Sequence, residues 1–265
     1  MNESRAEAAP DRAAPHDAEA PITVRVWDVP VRVFHWSLVA LVTFSVATAY
    51  AGGSWMDWHM RSGYAVLALL AFRIAWGFLG TRHARFASFV RGPAAIARYL
   101  GTLGGGAHPA SVGHNPLGGL SVLALIAVVL AQVGTGLFAN DDILTEGPLA
   151  KLVSKAASDR ATTVHYWNQW LLFGLVAMHV LAVLVHRVRF GDDLVGPMIA
   201  GTKRLPPGCA GEDAGPTPWP RALAVARGGR IGHGVRSEFV HVRRQWRVAG
   251  RSRRRRSAAS ARRSP

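Results

Sequence analysis

A single cysteine, Cys209, in 265 residues leaves no partner for an intramolecular disulfide and excludes cysteine-rich zinc and iron–sulfur sites. No internal repeat, phosphate-binding glycine loop or nucleophile elbow is present. Acidic residues are scarce, 16 against 31 Lys and Arg, for a net charge of +15. That excess is not spread evenly. From Arg187 onward there are 18 bases and 5 acids, whereas residues 1–186 hold 13 bases and 11 acids and are nearly neutral. Charge of this kind belongs to a tail, and the reading is that the protein does not bind nucleic acid.

What the chain has instead is long apolar runs, about Val33 to Ala51, Tyr64 to Leu79, Leu117 to Phe138 and Trp170 to Val185. Each approaches the roughly 20 residues that cross about 30 Å of hydrocarbon as a helix. Helices close their own backbone hydrogen bonds, which lipid demands. The expectation is an all-α membrane protein, a four-transmembrane-helix bundle with helices at about 33–52, 62–80, 117–138 and 164–187. Residues 1–21 and 205–265 are polar or Arg-rich with few aliphatics and are expected to be disordered tails around a transmembrane domain at 22–204. The first run starts beyond residue 30 between Arg25 and Arg32, which does not suit a cleaved signal peptide.

The loop from Thr81 to Pro116 carries Arg82, Arg85, Arg91 and Arg98 with no acid, while Ala139 to Val164 mixes both signs. Positive loops stay inside, so this predicts a multi-pass protein of the bacterial inner (plasma) membrane with both termini cytoplasmic. Trp55, Trp58, Tyr166 and Trp167 are then placed at the outer interface, and Trp36 and Trp76 near the inner one.

Five of the eleven histidines lie in or beside these spans: His35, His59, His165, His179 and His186. Ionisable side chains there are costly and mark functional sites by default. His165 and His179 are 14 residues apart, about 40° short of four full turns and about 21 Å along the axis, so they share a face at two depths. Antiparallel helices bring His59 to the outer level of His165 and His35 to the inner level of His179, with His186 as a rival for the inner place. Two imidazoles facing each other in a bundle suit bis-axial ligation of haem iron. Without Cys-x-x-Cys-His the haems must be b-type. Zinc fits less well, because neither level offers a third ligand. Arg73, 14 residues past His59, reaches the inner level, either to pair with a haem propionate or to snorkel.

The stretches VRVWDVPVRVFHWSLVALVTFSVA, HMRSGYAVLALLAFRIAWGFLG and GHNPLGGLSVLALIAVVLAQVGTGLFANDDILTEGPLA resemble the bacterial cytochrome b561 family, as does HYWNQWLLFGLVAMHVLAVLVHRVRFGDDLVGPMIAGTK. That family includes the b-type cytochrome subunits of nickel–iron hydrogenases. The resemblance covers about residues 22–204. It implies a dihaem electron carrier of the respiratory chain, with His35 and His179 holding the inner haem and His59 and His165 the outer. It also implies exchange of electrons between a quinone pool and a periplasmic c-type cytochrome, hydrogenase or dehydrogenase. On this reading the chain is an electron-transfer protein or the cytochrome subunit of an oxidoreductase complex rather than a stand-alone enzyme. Two other classes compete: a redox enzyme oxidising quinol or superoxide, for which His83, His108 and His114 are the candidate acid–base groups, and a haem-free membrane anchor of a redox complex. The acids Asp141, Asp142 and Glu146 offer the outer loop a face for a basic partner.

Overall fold

The computed structural model describes residues 22–104, 112–143, 145–205 and 212–228. His108, Cys209 and both extreme tails lie outside the described residues.

Among the described residues, four helices are long and apolar enough to cross a membrane. They are α1 (Val29–Ala51), α2 (Met56–Leu79), α5 (Pro116–Gly136) and α6 (Lys155–Phe190). Between α2 and α5 lie two short helices, α3 (Phe86–Phe89) and α4 (Pro93–Gly104). After α6 come α7 (Val195–Ala200), a strand, and α8 over residues 219–228. Three of the long helices, α1, α5 and α6, start where a side chain satisfies free amides, whereas α2 follows Trp55 with no side-chain cap. Asp28 caps α1 by accepting from Val31 N at 2.8 Å, with Pro30 in the first turn. Asn115 caps α5, accepting from Gly118 N at 2.6 Å, and Ser154 caps α6. The left-handed Gly191 (φ 65°) ends α6.

The core is a narrow strip between helices: Val66 and Leu70 of α2, Val129 of α5 and Leu172 of α6 pack together, with Leu38, Leu41 and Val42 of α1 against them. The outer faces are apolar as well. Leu181 is 60% and Leu184 51% exposed, a pattern that is stable against lipid and unstable against water.

Two helices begin earlier than their apolar runs predict, α2 at Met56 rather than 62 and α6 at Lys155 rather than 164. Capping explains the second: Ser154 and the Lys155–Asp159 pair one turn apart stabilise polar turns that hydropathy does not detect. His59 and His165 therefore sit inside helices, on rigid backbone. Trp76 is the other departure. It is fully buried rather than interfacial, its ring stacked on Phe72 and its Nε1 donating to Asp28 at 3.0 Å.

The bundle end that carries the chain termini is closed by a two-stranded antiparallel sheet. In it β1 (Ile22–Arg25) pairs with β2 (Thr202–Leu205), Ile22 opposite Leu205 and Arg25 opposite Thr202. The expectation that residues 205–265 form a disordered tail is corrected for Leu205, which is buried in this sheet, and for residues 212–228. Ala214 N donates to Arg25 O at 2.9 Å, Glu212 pairs with Arg82, and Ala222 of α8 is buried against Val31, Trp76 and Ala84.

Candidate functional site: two pairs of histidines along the bundle

At the bundle end away from the termini, His59 of α2 faces His165 of α6 with ring centroids 6.1 Å apart and planes at 88°. Neither ring is loose. His59 Nδ1 donates to the carbonyl of Ser45 on α1 at 2.8 Å, with Ser45 Oγ at 3.1 Å. His165 Nδ1 donates to the carbonyl of Gln132 on α5 at 2.8 Å, with Thr135 Oγ at 3.4 Å. A carbonyl accepts only from a protonated nitrogen, so both rings keep their proton on Nδ1 and their lone pair on Nε2. This is the arrangement that orients a histidine as a metal ligand.

Each of the four helices thus contributes, with α2 and α6 carrying the rings while α1 and α5 hold them. Gln132 is itself fixed, its Nε2 donating to His165 O at 3.1 Å and its Oε1 accepting from Asn168 at 2.6 Å. A Cβ on Gly136 would stand 2.9 Å from His165 Cε1, so only glycine lets α5 approach that ring. Around the pair opens a cavity of about 330 Å³, lined by Ser45, Gly63, Val66, Gln132, Gly136 and Leu172 among others. That volume falls in the range of cofactor sites, about 300–1,000 Å³. A Cβ on Gly63 would project into it and meet nothing.

The pair fits an iron held between two nitrogens. Metal–nitrogen bonds of about 2 Å on each side set the centroids of two axial imidazoles about 6 Å apart, and the observed 6.1 Å agrees. Among the described residues, no group of three or more His, Cys, Asp or Glu side chains could hold a metal ion. A haem supplies four equatorial nitrogens and asks the protein for two.

At the termini end, His35 of α1 and His179 of α6 lie within electrostatic reach of each other. His35 Nδ1 is enclosed with no hydrogen-bond partner, and its ring meets Trp36 edge-on at 5.0 Å. Arg73 of α2 is only 3% exposed, its guanidinium 5.1 Å over the Phe86 ring. Its Nη1 is enclosed and unpartnered, although Asp28 is within electrostatic reach. Asp28 is already occupied: Trp76 Nε1 and Thr81 Oγ1, at 3.0 and 2.6 Å, both donate to it.

His186, the rival for the inner place, is turned elsewhere. Its Nδ1 stands 3.8 Å from Asp192 Oδ2, and Asp192 Oδ1 pairs with Lys203 at 2.6 Å. His83 Nε2 bonds to Glu212 O at 2.8 Å. His114 is wedged between Trp27 and Phe89, at centroid distances of 4.6 and 4.5 Å. Two acids of the opposite loop are matched by lysines, Asp142 with Lys155 at 2.7 Å and Glu146 with Lys151 at 3.0 Å, while Asp141 accepts from the amides of Ile143 and Thr145.

Paired, tautomer-fixed histidines inside a bundle of apolar spanning helices define a class: membrane cytochromes that hold haem between helices. Comparison with known proteins is more specific. The prokaryotic cytochrome b561 family matches residues 26–201, and this chain belongs to it. It is a b-type cytochrome that carries haem b and takes part in electron transport within a membrane.

Relatives share less than a quarter of their residues with it. The chain is 23% identical over 210 residues to the probable Ni/Fe-hydrogenase 1 B-type cytochrome subunit of Escherichia coli, covering 66% of this chain and 88% of that protein. It is 23% identical to the probable Ni/Fe-hydrogenase B-type cytochrome subunit of Rhodobacter capsulatus (68% and 80% covered) and 24% identical to that of Azotobacter chroococcum (67% and 87%).

Proposed function

We propose that this chain is a dihaem electron carrier of the bacterial plasma membrane, taking electrons between a quinone pool and a hydrogenase, dehydrogenase or c-type cytochrome. His59 and His165 hold one haem; His35 and His179 hold the second. The observation that carries this reading is the far pair, two imidazoles 6.1 Å apart with both Nδ1 protons committed to carbonyls. The hydrogenase partner rests on what the relatives are named for.

Bound haem supplies the one-electron couple, and the protein does the rest. Ser45 and Gln132 fix the ligand rings, so the site needs little rearrangement when the iron changes charge. Leu172 and Val66 keep water away. Arg73 would hold a propionate of the second haem with its buried guanidinium, and its positive charge would favour the reduced state. About 21 Å separates the two levels along α6, which sets the carriers at opposite membrane faces. The arginine-rich loop 81–116 favours placing the termini end in the cytoplasm.

A pyridine haemochrome assay on the detergent-purified protein tests the cofactor claim. The expected result is two haem b per chain; one or none contradicts it. Adding a short-chain quinol to the oxidised protein tests the partner. Reduction to the level reached with dithionite supports a quinone, and no reduction removes it. Among the described residues, two candidate acid–base groups of the quinol- or superoxide-oxidising alternative are otherwise engaged: His83 bonds to Glu212 O and His114 is enclosed by rings.

A further inference from the structure

His114 has no role in the account so far, and its surroundings are unusual for a loop histidine. It sits two residues before α5, between the faces of Trp27 and Phe89, and its Nδ1 is enclosed with no hydrogen-bond partner. An enclosed nitrogen of this kind is destabilising unless something completes it. The same cluster contains a second such atom, Nη1 of Arg73.

The two are linked through α3. Arg73 lies on Phe86, Phe86 meets Phe89 at 5.8 Å, and Phe89 meets His114 at 4.5 Å. The rings of α3 are locked in position: a Cβ on Gly77 would stand 2.1 Å from the Phe86 ring, and one on Gly119 would stand 2.7 Å from Phe89 O. His114 also lies within electrostatic reach of Arg73 and of His179, one of the two inner histidines. Burial first, then the charges of Arg73, His83 and His179, push the His114 pKa down to about 3, so the ring is neutral and offers an N–H. A buried guanidinium with an unpartnered Nη1, within electrostatic reach of a neutral imidazole, suits the two carboxylates of one haem.

We propose that Arg73 and His114 together bind the carboxylates of the haem held by His35 and His179, with His114 the neutral donor that positions a propionate. The proposal rests on the dihaem reading above. On it, His114 brings a further segment, the residues just ahead of α5, to the second site. The second haem is then anchored from four segments, as the first is.

His114→Ala and His114→Gln, each in the full-length purified protein, test this with two readouts beyond electron-transfer activity. Losing a donor to the carboxylate leaves its negative charge less compensated, which favours the oxidised iron. In the alanine variant both haems remain, and at fixed potential the oxidised-to-reduced ratio of the second haem rises about three- to tenfold, tenfold being 59 mV for one electron. The first haem does not change. Glutamine, which restores an N–H, recovers most of the shift. Infrared redox-difference spectra with haem isotope-labelled at its propionate carboxyls show the labelled band move in the alanine variant.

An unshifted potential, an alanine effect that glutamine does not rescue, or an unmoved labelled band overturns the proposal. A shift in potential with an unmoved labelled band means that a free anion fills the site instead. A wild-type protein with one haem, insensitive to substitution of His35 or His179, overturns the dihaem reading and this proposal with it. Two haems with no effect at His114 overturn the proposal alone.

Discussion

The residues that decide this protein's chemistry are those that hold the histidines rather than the histidines alone. Gly136 is the sharpest case. In Gly136→Val the new side chain collides with His165, and the expected result is a loss of affinity for the first haem of about 10- to 100-fold, read by titrating haem into the apoprotein. His114 carries a second prediction. In the haem-free protein its folded pKa of about 3 lies below the unfolded value of 6.5. As pH falls below 6.5 the unfolded chain takes up a proton that the native ring refuses. Apoprotein stability therefore falls between about pH 6.5 and 3 by at most about 1.4 kcal/mol per unit from this group, and His114→Gln flattens that slope in thermal unfolding. The histidine pairs were legible because a helical period of 3.6 places residues 14 apart on one face. Their cradle was not: the acceptors are backbone carbonyls of Ser45 and Gln132, and a carbonyl leaves no mark in a sequence.

Among the elements, α1 and α2 depend on one carboxylate. Asp28 caps α1, holds the Trp76 indole and takes the Thr81 hydroxyl, joining the start of one span to the end of another. Asp28→Ala removes all three bonds and is expected to cost about 2–4 kcal/mol, measured as a lower midpoint in denaturant unfolding. Asp28→Asn, which keeps acceptor oxygen, should recover part of it. An Asp just ahead of Val-Pro is a legible capping signal, and only its further partners required the structure. The four spans were legible by hydropathy, while the polar first turns of α2 and α6 were not, because hydropathy does not register helix that is made of polar residues. The polar start of α6 at Ser154 and Lys155 shows this most clearly.

For the molecule as a whole, the region past β2 changes how the termini end is closed. Residues 212–228 return to β1 through the Ala214 amide and cover Val31, Trp76 and Ala84 with the small side chain of Ala222 and with Val225. Small residues at long sequence separation carry little signal, so composition alone made this stretch look like part of the tail. Cutting the chain after Leu205 exposes those three apolar residues and is expected to lower Tm by about 4–8 °C, if about 2 kcal/mol of burial is lost. Cutting after Gly228 should leave Tm unchanged. This closure also depends on pH. Backbone amides of Gly215 and Arg25 hold the exposed Asp213 carboxyl below its usual range. Its contribution is present above the unfolded value near 3.8 and fades as pH falls towards the lower folded value, when the hydrogen-exchange protection factor of the Gly215 amide, referred to its intrinsic rate at each pH, should fall.

The central claim is that four histidines make two separate bis-histidine haem sites. Low-temperature electron paramagnetic resonance of the oxidised protein, wild type and single alanine variants, tests it most directly. The account predicts two low-spin ferric signals, one lost in His59→Ala and His165→Ala alike, the other lost in His35→Ala and His179→Ala. A single signal, or losses that do not divide the four residues into those two pairs, would contradict it.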